Sequence, residues 1–329
     1  MKFLFSALLS FCFLSSAVAG ELDDKGIYNI SYENDVFSGT DQNYTNGVRI
    51  SYLTAENDIP RIVLDWAAKA PFFHRAGKRR ASFAVGQSMF TPQDITISQL
   101  QPNNRPYAGW LYGSAGLVSD SGDRLDNLQL TVGVVGPASL AEQTQKFVHK
   151  NMNGSPDPKG WRHQLKNEPG IILSYERQWK TFYEINEKHT GWAFDFSPHL
   201  GASVGNVFTY AAAGGTFRLG YDLPNDYGPP RIRPSLPGSD YFVPTDDLGW
   251  YLFAGFEGRA VGRNIFLDGN TLTDSHSVDR EAFTGDIQTG LAVILYGTRV
   301  AYTHIFRGKE FQQQGRNDQF GALTVSVRY

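Results

Sequence analysis

The chain ends in the stretch Leu323-Thr324-Val325-Ser326-Val327-Arg328-Tyr329. Apolar and polar residues alternate along it, so an extended strand would have one apolar face and one polar face. A soluble sheet can show the same alternation. A strand that closes the chain on an aromatic residue, behind an export signal, is typical of the last strand of an outer-membrane β-barrel. In such a strand the apolar face contacts lipid and the polar face lines the interior.

The start of the chain predicts export. Met1-Lys2 is a short basic beginning, an apolar stretch follows, and Ala17-Val18-Ala19 is a small-residue cleavage site. This pattern predicts a secretory signal peptide over residues 1–19, and leaves 20–329 as one barrel domain. The apolar stretch is too short for a membrane-spanning anchor helix. The only cysteine, Cys12, lies in this segment, so the mature chain would have no disulfide, thiol nucleophile or cysteine metal ligand.

Composition supports the same class. Aromatic residues make up 14% of the chain, as interfacial girdles require, and the net charge of −3 shows no basic excess, which argues against nucleic acid as a partner. About twelve strand candidates run from residue 27 to 329 without a linker, and an even number leaves both termini in the periplasm. We therefore predict an all-β fold, a transmembrane antiparallel β-barrel of about 12 strands with short helices in its loops. A soluble β-sandwich is the alternative.

Two segments have helical spacing instead. Residues 59–70 predict a short helix in a periplasmic turn. Ser139 and Glu142 have the spacing of a capping box, in which Ser139 would cap a helix that runs to His149. Glu142, Gln145 and His149 would share one face of that helix, which follows a strand and should therefore lie at the barrel mouth.

The first predicted hairpin is rich in oxygen-bearing side chains. Alternation places Glu33 and Asp35 on the lumen side of the first strand, and Thr45 on the lumen side of the second. The same alternation points Asn34 outward, unless a bulge or a strand end intervenes. Carboxylate, amide and hydroxyl oxygens suit a hard cation such as Ca²⁺. A polar turn with capping side chains is the alternative reading.

His149 is the candidate general base, because imidazole titrates near neutral pH. The chain has seven histidines, and any one of them taken alone is more often structural or solvated. His149 is distinguished by the predicted helix at the barrel mouth. The Gly-x-Ser-x-Gly match at Gly201-Ala202-Ser203-Val204-Gly205 is followed by another strand candidate and not by a helix, so it does not predict a serine nucleophile. Hydrolysis by activated water, with a cation to stabilise the oxyanion, is therefore favoured.

Several motifs together resemble one family over nearly the whole mature chain. They are Glu33-Asn34-Asp35-x-Phe37, Tyr44-Thr45-Asn46-Gly47, Asn104-Arg105-Pro106-Tyr107-Ala108-Gly109-Trp110, Gly136-Pro137 with His149 downstream, Trp161-x-x-Gln164-Leu165-x-Asn167-Glu168, Leu267-Asp268-Gly269-Asn270-Thr271 and Arg307-x-x-Glu310-Phe311. The chain resembles the outer-membrane lipid A deacylases. The resemblance implies a twelve-stranded barrel that removes the 3′-acyloxyacyl group of lipid A by Ca²⁺-dependent hydrolysis. It also implies an outward-facing site in the outer membrane of a Gram-negative bacterium, with membrane lipids as neighbours and the barrel-assembly machinery as a partner during biogenesis.

The resemblance also implies residue roles. The metal ligands would be Asn34 and Asp35, and the catalytic residues would be Thr45 and His149, with the histidine removing a proton from water. The loop 93–104 lacks the basic pair of the family. We expect Arg105 to contact a lipid A phosphate instead, because guanidinium binds phosphate bidentately. A structural salt bridge is the alternative role for Arg105.

Two rival functions stay open at this stage. A non-enzymatic barrel, either a pore or a scaffold, would not need Asn34, Asp35, Thr45 and His149 together. An outer-membrane phospholipase would share the fold and Ca²⁺, but by resemblance should show a serine beside its histidine. His276-Ser277 is adjacent in sequence, in a motif that we place in a turn or at a strand end.

Overall fold

A computed structural model describes residues 23–35, 43–56, 58–69, 77–153, 155–180, 183–186, 190–229, 232, 240–244 and 247–329. The predicted signal peptide, residues 1–19, lies outside the described residues. None of the described helices is long and apolar enough to span a membrane.

The fold is built from strands, as the alternating sequence predicts. Fifteen are present among the described residues: β1 (Ile27–Asn34), β2 (Asn43–Leu53), β3 (Lys78–Thr91), β4 (Ala108–Asp120), β5 (Arg124–Val135), β6 (Glu168–Trp179), β7 (Tyr183–Asn186), β8 (Trp192–Gly205), β9 (Phe208–Tyr221), β10 (Asn225–Asp226), β11 (Phe242–Val243), β12 (Leu248–Asn264), β13 (Phe283–Leu295), β14 (Thr298–Arg307) and β15 (Asp318–Arg328).

The wall of the molecule is a closed antiparallel sheet. Each strand pairs with the next wall strand along the chain, and β1 pairs with β15, which closes the barrel. Strands β6 and β7 pair in turn with the same partner, β8, so they form one interrupted wall strand. Strands β10 and β11 pair only with each other. The wall therefore has twelve strands, which confirms the predicted fold class and excludes the β-sandwich.

Side chains alternate across this wall. In β1, Asn29 and Ser31 are buried in the lumen, whereas Tyr28 and Ile30 are exposed on the outer face. Exposed Ile, Leu, Val and Phe continue on the outer face around the barrel, which is the pattern of a lipid-facing surface. Glu33 is buried on the lumen side, in agreement with the prediction. We call the end where β1 finishes, opposite to both chain termini, the rim.

The lumen is filled from the end that carries the termini. The segment between β9 and β12 enters it, and we call its described residues 222–229, 232, 240–244 and 247 the plug. Asp226 of the plug forms ion pairs with Arg218 and Arg299, and Asp240 pairs with Arg49 at 2.7 Å. These pairs neutralise charges that the barrel interior would otherwise leave unpaired. A filled lumen argues against the open-pore alternative.

The rim end of the lumen is also packed. The short helix α3 (Ile265–Asp268) inserts Phe266, whose ring stacks on that of Phe90 with centroids 4.1 Å apart. A row of buried ion pairs lies beside it, with Asp286 held by Arg259 at 2.7 Å and by Arg307 at 2.9 Å. Both ends of the interior are thus occupied by the chain itself.

Both predicted helices are present, with different ends. Helix α1 spans Arg61–Ala67 in the connection between β2 and β3, at the end that carries the termini. Helix α2 spans Ala141–Val148 at the rim, and a single π-helical turn, His149–Asn153, follows it. The predicted segment 59–70 is therefore a shorter helix than expected, and His149 is the first residue after α2.

The predicted capping box is wrong. The N-cap of α2 is Leu140, in a left-handed conformation with φ of 59°, and Ser139 belongs to a preceding 3₁₀ turn. The Ser139 hydroxyl donates to the Gly136 carbonyl at 2.6 Å, and Glu142 pairs with Lys146 at 2.5 Å. Each side chain has found another partner nearby, because serine hydroxyls readily bond to carbonyls three residues back.

Candidate active site at the rim

Helix α2 lies against the outer face of the barrel wall. Gly109 of β4 lies between two lumen-facing residues, Ala108 and Trp110, so it faces outward. A Cβ atom at Gly109 would lie 2.0 Å from Ser139 Oγ and 2.4 Å from Ala141 Cβ. Only glycine permits this close approach. The Gln87 side-chain amide, on the adjacent strand β3, donates to the Ser139 carbonyl at 2.6 Å. The wall therefore fixes where α2 begins.

An apolar cluster under α2 joins the helix to the loops around it. Met89, Ile95, Tyr107, Ala141 and Trp161 are all buried and pack together. Met89 faces outward from β3, because its neighbour Phe90 packs in the lumen. The cluster is therefore a second, smaller core outside the barrel, and it gives the side chains on the inner face of α2 a fixed and dry environment.

His149 is buried, with 4% of its surface exposed. Its backbone N–H donates to the Gln145 carbonyl, so the helical geometry of α2 continues to it. The ring Nδ1 lies 2.7 Å from the Pro156 carbonyl oxygen. Because a carbonyl only accepts hydrogen bonds, Nδ1 carries the proton of the neutral ring and Nε2 carries the lone pair. This tautomer is the one that a general base acting through Nε2 requires.

Thr45 occupies a β-bulge. Between β2 and β3, Tyr44 is opposite Phe90 and Asn46 is opposite Met89, so Thr45 is the extra residue. Its Oγ1 lies 2.7 Å from Oγ1 of Thr91. Thr91 follows the lumen-facing Phe90 and therefore faces outward. The prediction that Thr45 faces the lumen is wrong, because the inserted residue breaks the alternation on which it depended.

Asn34 is the last residue of β1 and lies opposite Asn46. Both have the outward parity, and the Asn34 side-chain amide donates to the outward-facing Tyr32 hydroxyl at 3.0 Å. The side chains of Asn34 and Tyr32 are thus joined at the end of β1. The strand end that the sequence required at this position is present.

Asp35 follows the end of β1 and is buried. Its carboxylate is close enough to the Tyr32 hydroxyl to act on it electrostatically. Asp35 thus lies near Tyr32 where β1 ends, and its placement on the lumen side stays a prediction. Alternation ceases to apply once the strand has ended. The rest of the predicted polar turn, residues 36–42, lies outside the described residues.

The structure therefore gathers most of the predicted site on one surface. Asn34, Asp35, Thr45 and His149 lie at the rim, carried by the neighbouring strands β1 and β2 and by the helix that covers β3 and β4. Within the described ranges, no group of three or more His, Cys, Asp or Glu side chains surrounds a possible metal position. Asn34 and Asp35 supply an amide and a carboxylate oxygen, which are the donor types that Ca²⁺ prefers but are fewer than its usual ligand number.

Arg105 does not belong to this surface. Its side chain has no exposed area and its Nη1 donates to Glu310 Oε2 at 3.2 Å. Its guanidinium also lies over the lumen-facing ring of Phe90, 4.8 Å from the ring centroid. Arg105 therefore packs on the lumen side of the wall, away from the outer surface that α2 covers. The structure favours the structural salt bridge, and the phosphate contact stays a prediction that this lumen-side placement does not support.

Two features of the site were missed from the sequence. One is the position of α2 on the outer face of the barrel wall. Gly109 is the sequence signal for it, because an outward-facing glycine lets another segment approach the wall from outside. The other is the set of residues that hold the histidine and its helix. Trp161 Nε1 donates to Gln145 Oε1 at 2.7 Å, and the Pro156 carbonyl orients His149. The Trp161 motif was visible in the sequence, but its partner was not.

Comparison with known proteins places this geometry in context. A family model described as "Outer membrane protein LpxR" matches residues 4–329. The solved structure of LpxR from Salmonella typhimurium is similar at 19% sequence identity and a TM-score of 0.74, over 92% of this chain and 99% of that one. The β domain of the Bordetella autotransporter Brka aligns at 10% identity and a TM-score of 0.43, over 93% and 99% of the two chains. A search of curated proteins finds no match.

Proposed function

Because the chain belongs to the LpxR outer membrane protein family, we propose that it is an outer-membrane hydrolase that removes the 3′-linked acyloxyacyl chain of lipid A. One observation supports this proposal most directly. His149 is buried on the outer side of the barrel wall, and the Pro156 carbonyl holds it in the tautomer of a general base. A base on that side of the wall acts on a lipid in the membrane, whereas a base in the lumen would not.

The chemistry proposed for His149 is acid–base catalysis of ester hydrolysis. Its Nε2 removes a proton from a water molecule, and the water oxygen forms a bond to the ester carbonyl carbon. The bond from that carbon to the alkoxy oxygen then breaks, and the imidazolium returns the proton to the leaving oxygen. The products are the free acyloxyacyl acid and a sugar hydroxyl. Thr45, fixed by Thr91, orients the reacting groups through its hydroxyl.

We propose that Asn34 and Asp35 hold a Ca²⁺ ion at this surface. The donor types fit, because Asp35 offers a carboxylate and Asn34 an amide oxygen, and the two residues are adjacent where β1 ends. Bound calcium would stabilise negative charge on the ester carbonyl oxygen. Backbone carbonyls and water molecules would have to complete the ligand set, since these two side chains cannot supply it alone.

The charge of the rim loop supports an anionic lipid as substrate. Residues 136–167 contain five Lys and Arg residues but only two Asp and Glu residues, in a chain whose net charge is −3. Lys150, Lys159 and Arg162 are exposed. The Lys159 backbone N–H donates to the Ile95 carbonyl at 2.8 Å, which anchors the loop. Exposed cations in the loop that carries His149 would attract lipid phosphate groups.

The proposed setting follows from the same placement. The rim would lie at the outer leaflet of the outer membrane, with the site facing outward, and the two chain termini would lie in the periplasm. The barrel-assembly machinery would insert the protein, as it does for barrels of this kind.

The test is to express wild type and His149→Ala in a Gram-negative host that lacks lipid A deacylases, and to analyse lipid A by mass spectrometry. We expect the acyloxyacyl unit to be lost with wild type and retained with the variant. His163→Ala, in the same loop, is the matched control and should behave as wild type. Unchanged lipid A from a folded wild-type barrel, shown by heat-modifiable migration, would refute the proposal. Release of fatty acid from glycerophospholipids instead would establish the phospholipase alternative.

A further inference from the structure

Gln145 is buried beside the proposed base. It lies on the inner face of α2 with 2% of its surface exposed. The backbone carbonyl of Gln145 accepts a hydrogen bond from the backbone N–H of His149, one helical turn later. Side chains four residues apart on a helix are neighbours, with Cβ atoms about 5–6 Å apart. The Gln145 amide and the His149 ring therefore share the same dry surface of the helix.

The orientation of the Gln145 amide is fixed by its partner. The Trp161 indole nitrogen lies 2.7 Å from Gln145 Oε1, and both side chains are buried. An indole N–H can only donate, so the amide oxygen must face the indole and the NH₂ group must face away from it. The oxygen and nitrogen of a glutamine amide are otherwise hard to tell apart, and this contact assigns them.

The amide nitrogen is left without a partner. Among the residues that the structure describes, none accepts a hydrogen bond from Gln145 Nε2, although that atom is buried. Buried amide donors are nearly always satisfied by protein or by bound water. This donor has a fixed direction and lies next to the proposed general base. It is therefore placed to donate a hydrogen bond to an atom of the substrate.

We propose that Gln145 is a catalytic residue, whose Nε2 donates a hydrogen bond to the scissile ester carbonyl oxygen as negative charge develops on it. The inference rests on the proposed hydrolytic function and extends it. When the oxygen of the attacking water bonds to the carbonyl carbon, the π electrons of the carbonyl move to its oxygen, and the Gln145 N–H stabilises that charge. The charge is released when the alkoxy oxygen leaves. No proton passes through Gln145.

The experiment compares Gln145→Met with Gln143→Met, using purified full-length barrels and lipid A in mixed micelles. Gln143 is exposed on the same helix, so the matched variant tests the substitution itself. We expect Gln145→Met to lower kcat by about 10²–10³ with little change in KM, as removal of an oxyanion donor does. Gln143→Met should retain wild-type kcat. Equal kcat in both variants would overturn the proposal.

A second variant separates catalysis from folding. Gln145→Glu keeps an oxygen for the Trp161 indole, but it can donate a hydrogen bond only when protonated. The kcat deficit relative to wild type should therefore shrink as the pH is lowered. A structural role predicts instead that the midpoint of heat modification falls in step with activity, and that the deficit does not depend on pH. Either result would overturn the proposal.

The same measurements distinguish this inference from the proposed function. A wild type that hydrolyses lipid A, a dead His149→Ala variant and a fully active Gln145→Met variant would leave the hydrolase intact and remove only the role of Gln145. A wild type that neither hydrolyses lipid A nor binds a phosphonate analogue of its ester would remove both.

Discussion

The Oγ1 atoms of Thr45 and Thr91 lie 2.7 Å apart on the outer side of the barrel wall, joining the bulge of β2 to the end of β3. One hydroxyl must donate to the other, so Thr91 decides where the Thr45 hydroxyl points. We predict that Thr45→Val lowers kcat at least about tenfold, because the isosteric change removes the hydroxyl that orients the reacting groups. Thr45→Ser should keep most of the activity.

Thr91→Val is the matched comparison for that prediction. It frees the Thr45 hydroxyl without removing it, so the loss of kcat should be smaller than in Thr45→Val. Equal losses in the two variants would show that the pair acts only by holding β2 against β3.

Calcium removal should abolish hydrolysis reversibly. We predict that a chelator stops lipid A deacylation and that added Ca²⁺ restores it. Asp35→Asn should raise the Ca²⁺ concentration needed for half-maximal activity about tenfold or more, because the carboxylate is the charged ligand of the proposed pair. The measurement is a calcium titration of initial rates. Glu33→Gln, on the lumen side, should leave the titration unchanged, and a shift equal to that of Asp35→Asn would contradict the assignment.

Gly109 should be essential for the position of α2. Gly109→Ala places a Cβ atom 2.0 Å from Ser139 Oγ and 2.4 Å from Ala141 Cβ, so the start of α2 must move. We expect activity to fall about 10²-fold, as small misplacements of catalytic groups do, while the barrel stays folded. Gly113→Ala, on the same face of β4, meets its nearest atom at 3.8 Å and should be active. Comparable activities of the two variants would contradict the close approach.

Arg105 should matter for stability rather than for substrate binding. Arg105→Met removes the nearer of the two cations of the buried Glu310 and leaves Arg307 at 4.0 Å, so we expect the barrel to be destabilised by about 3 kcal/mol, the low end for a broken buried pair. Arg105→Met combined with Glu310→Leu removes both charges and should recover part of that loss. The midpoint of denaturant unfolding in detergent measures both. An increase in KM for lipid A at unchanged stability would restore the phosphate role.

The N-terminal segment should loosen in acid. Asp23 lies before β1 and contacts Arg80 at 2.5 Å and Arg328 at 2.6 Å. Burial raises the pKa of Asp23, but Arg80, the Lys25 backbone N–H and Arg328 together outweigh it and hold that pKa below its usual value. Because the folded pKa is depressed, the stabilisation is complete above the unfolded pKa of about 3.9, and is lost as the pH falls from there through the folded pKa.

The measurement for that prediction is the heat-modification midpoint of wild type and Asp23→Asn as a function of pH. Wild type should be the more stable protein near neutral pH, and the two midpoints should converge in acid. Asp24→Asn, at an exposed neighbour, should match wild type throughout. A difference between wild type and Asp23→Asn that persists in strong acid would show that the ion pairs are not its source.

The sequence predicted the barrel well because period-two alternation is a local property. Each wall strand can be predicted from its own residues, and the number of strands follows from the sum. The side of the wall that Thr45 faces could not be predicted, because the bulge depends on how β2 pairs with β3. The capping box failed for a similar reason, since Ser139 had a competing partner in the Gly136 carbonyl.

The plug and the salt bridge of Arg105 depend on contacts between residues far apart in the chain. Asp240 pairs with Arg49, and Arg105 pairs with Glu310. No spacing rule connects such positions. By contrast, His149 could be proposed from the sequence because a local helix signal precedes it. Its orienting partner, Pro156, lies in a loop whose path is set by Trp161 and the wall.

The position of α2 on the outer side of the wall has a kinetic consequence. Under the proposed function, the substrate reaches this surface by lateral diffusion within the leaflet, and the cleaved acyl product leaves in the same plane. The relevant concentration is then the mole fraction of substrate among the surrounding lipids and detergents, not its amount per volume. Rates measured in micelles should fall on surface dilution with inert detergent, even when enzyme and substrate are held at constant bulk concentration.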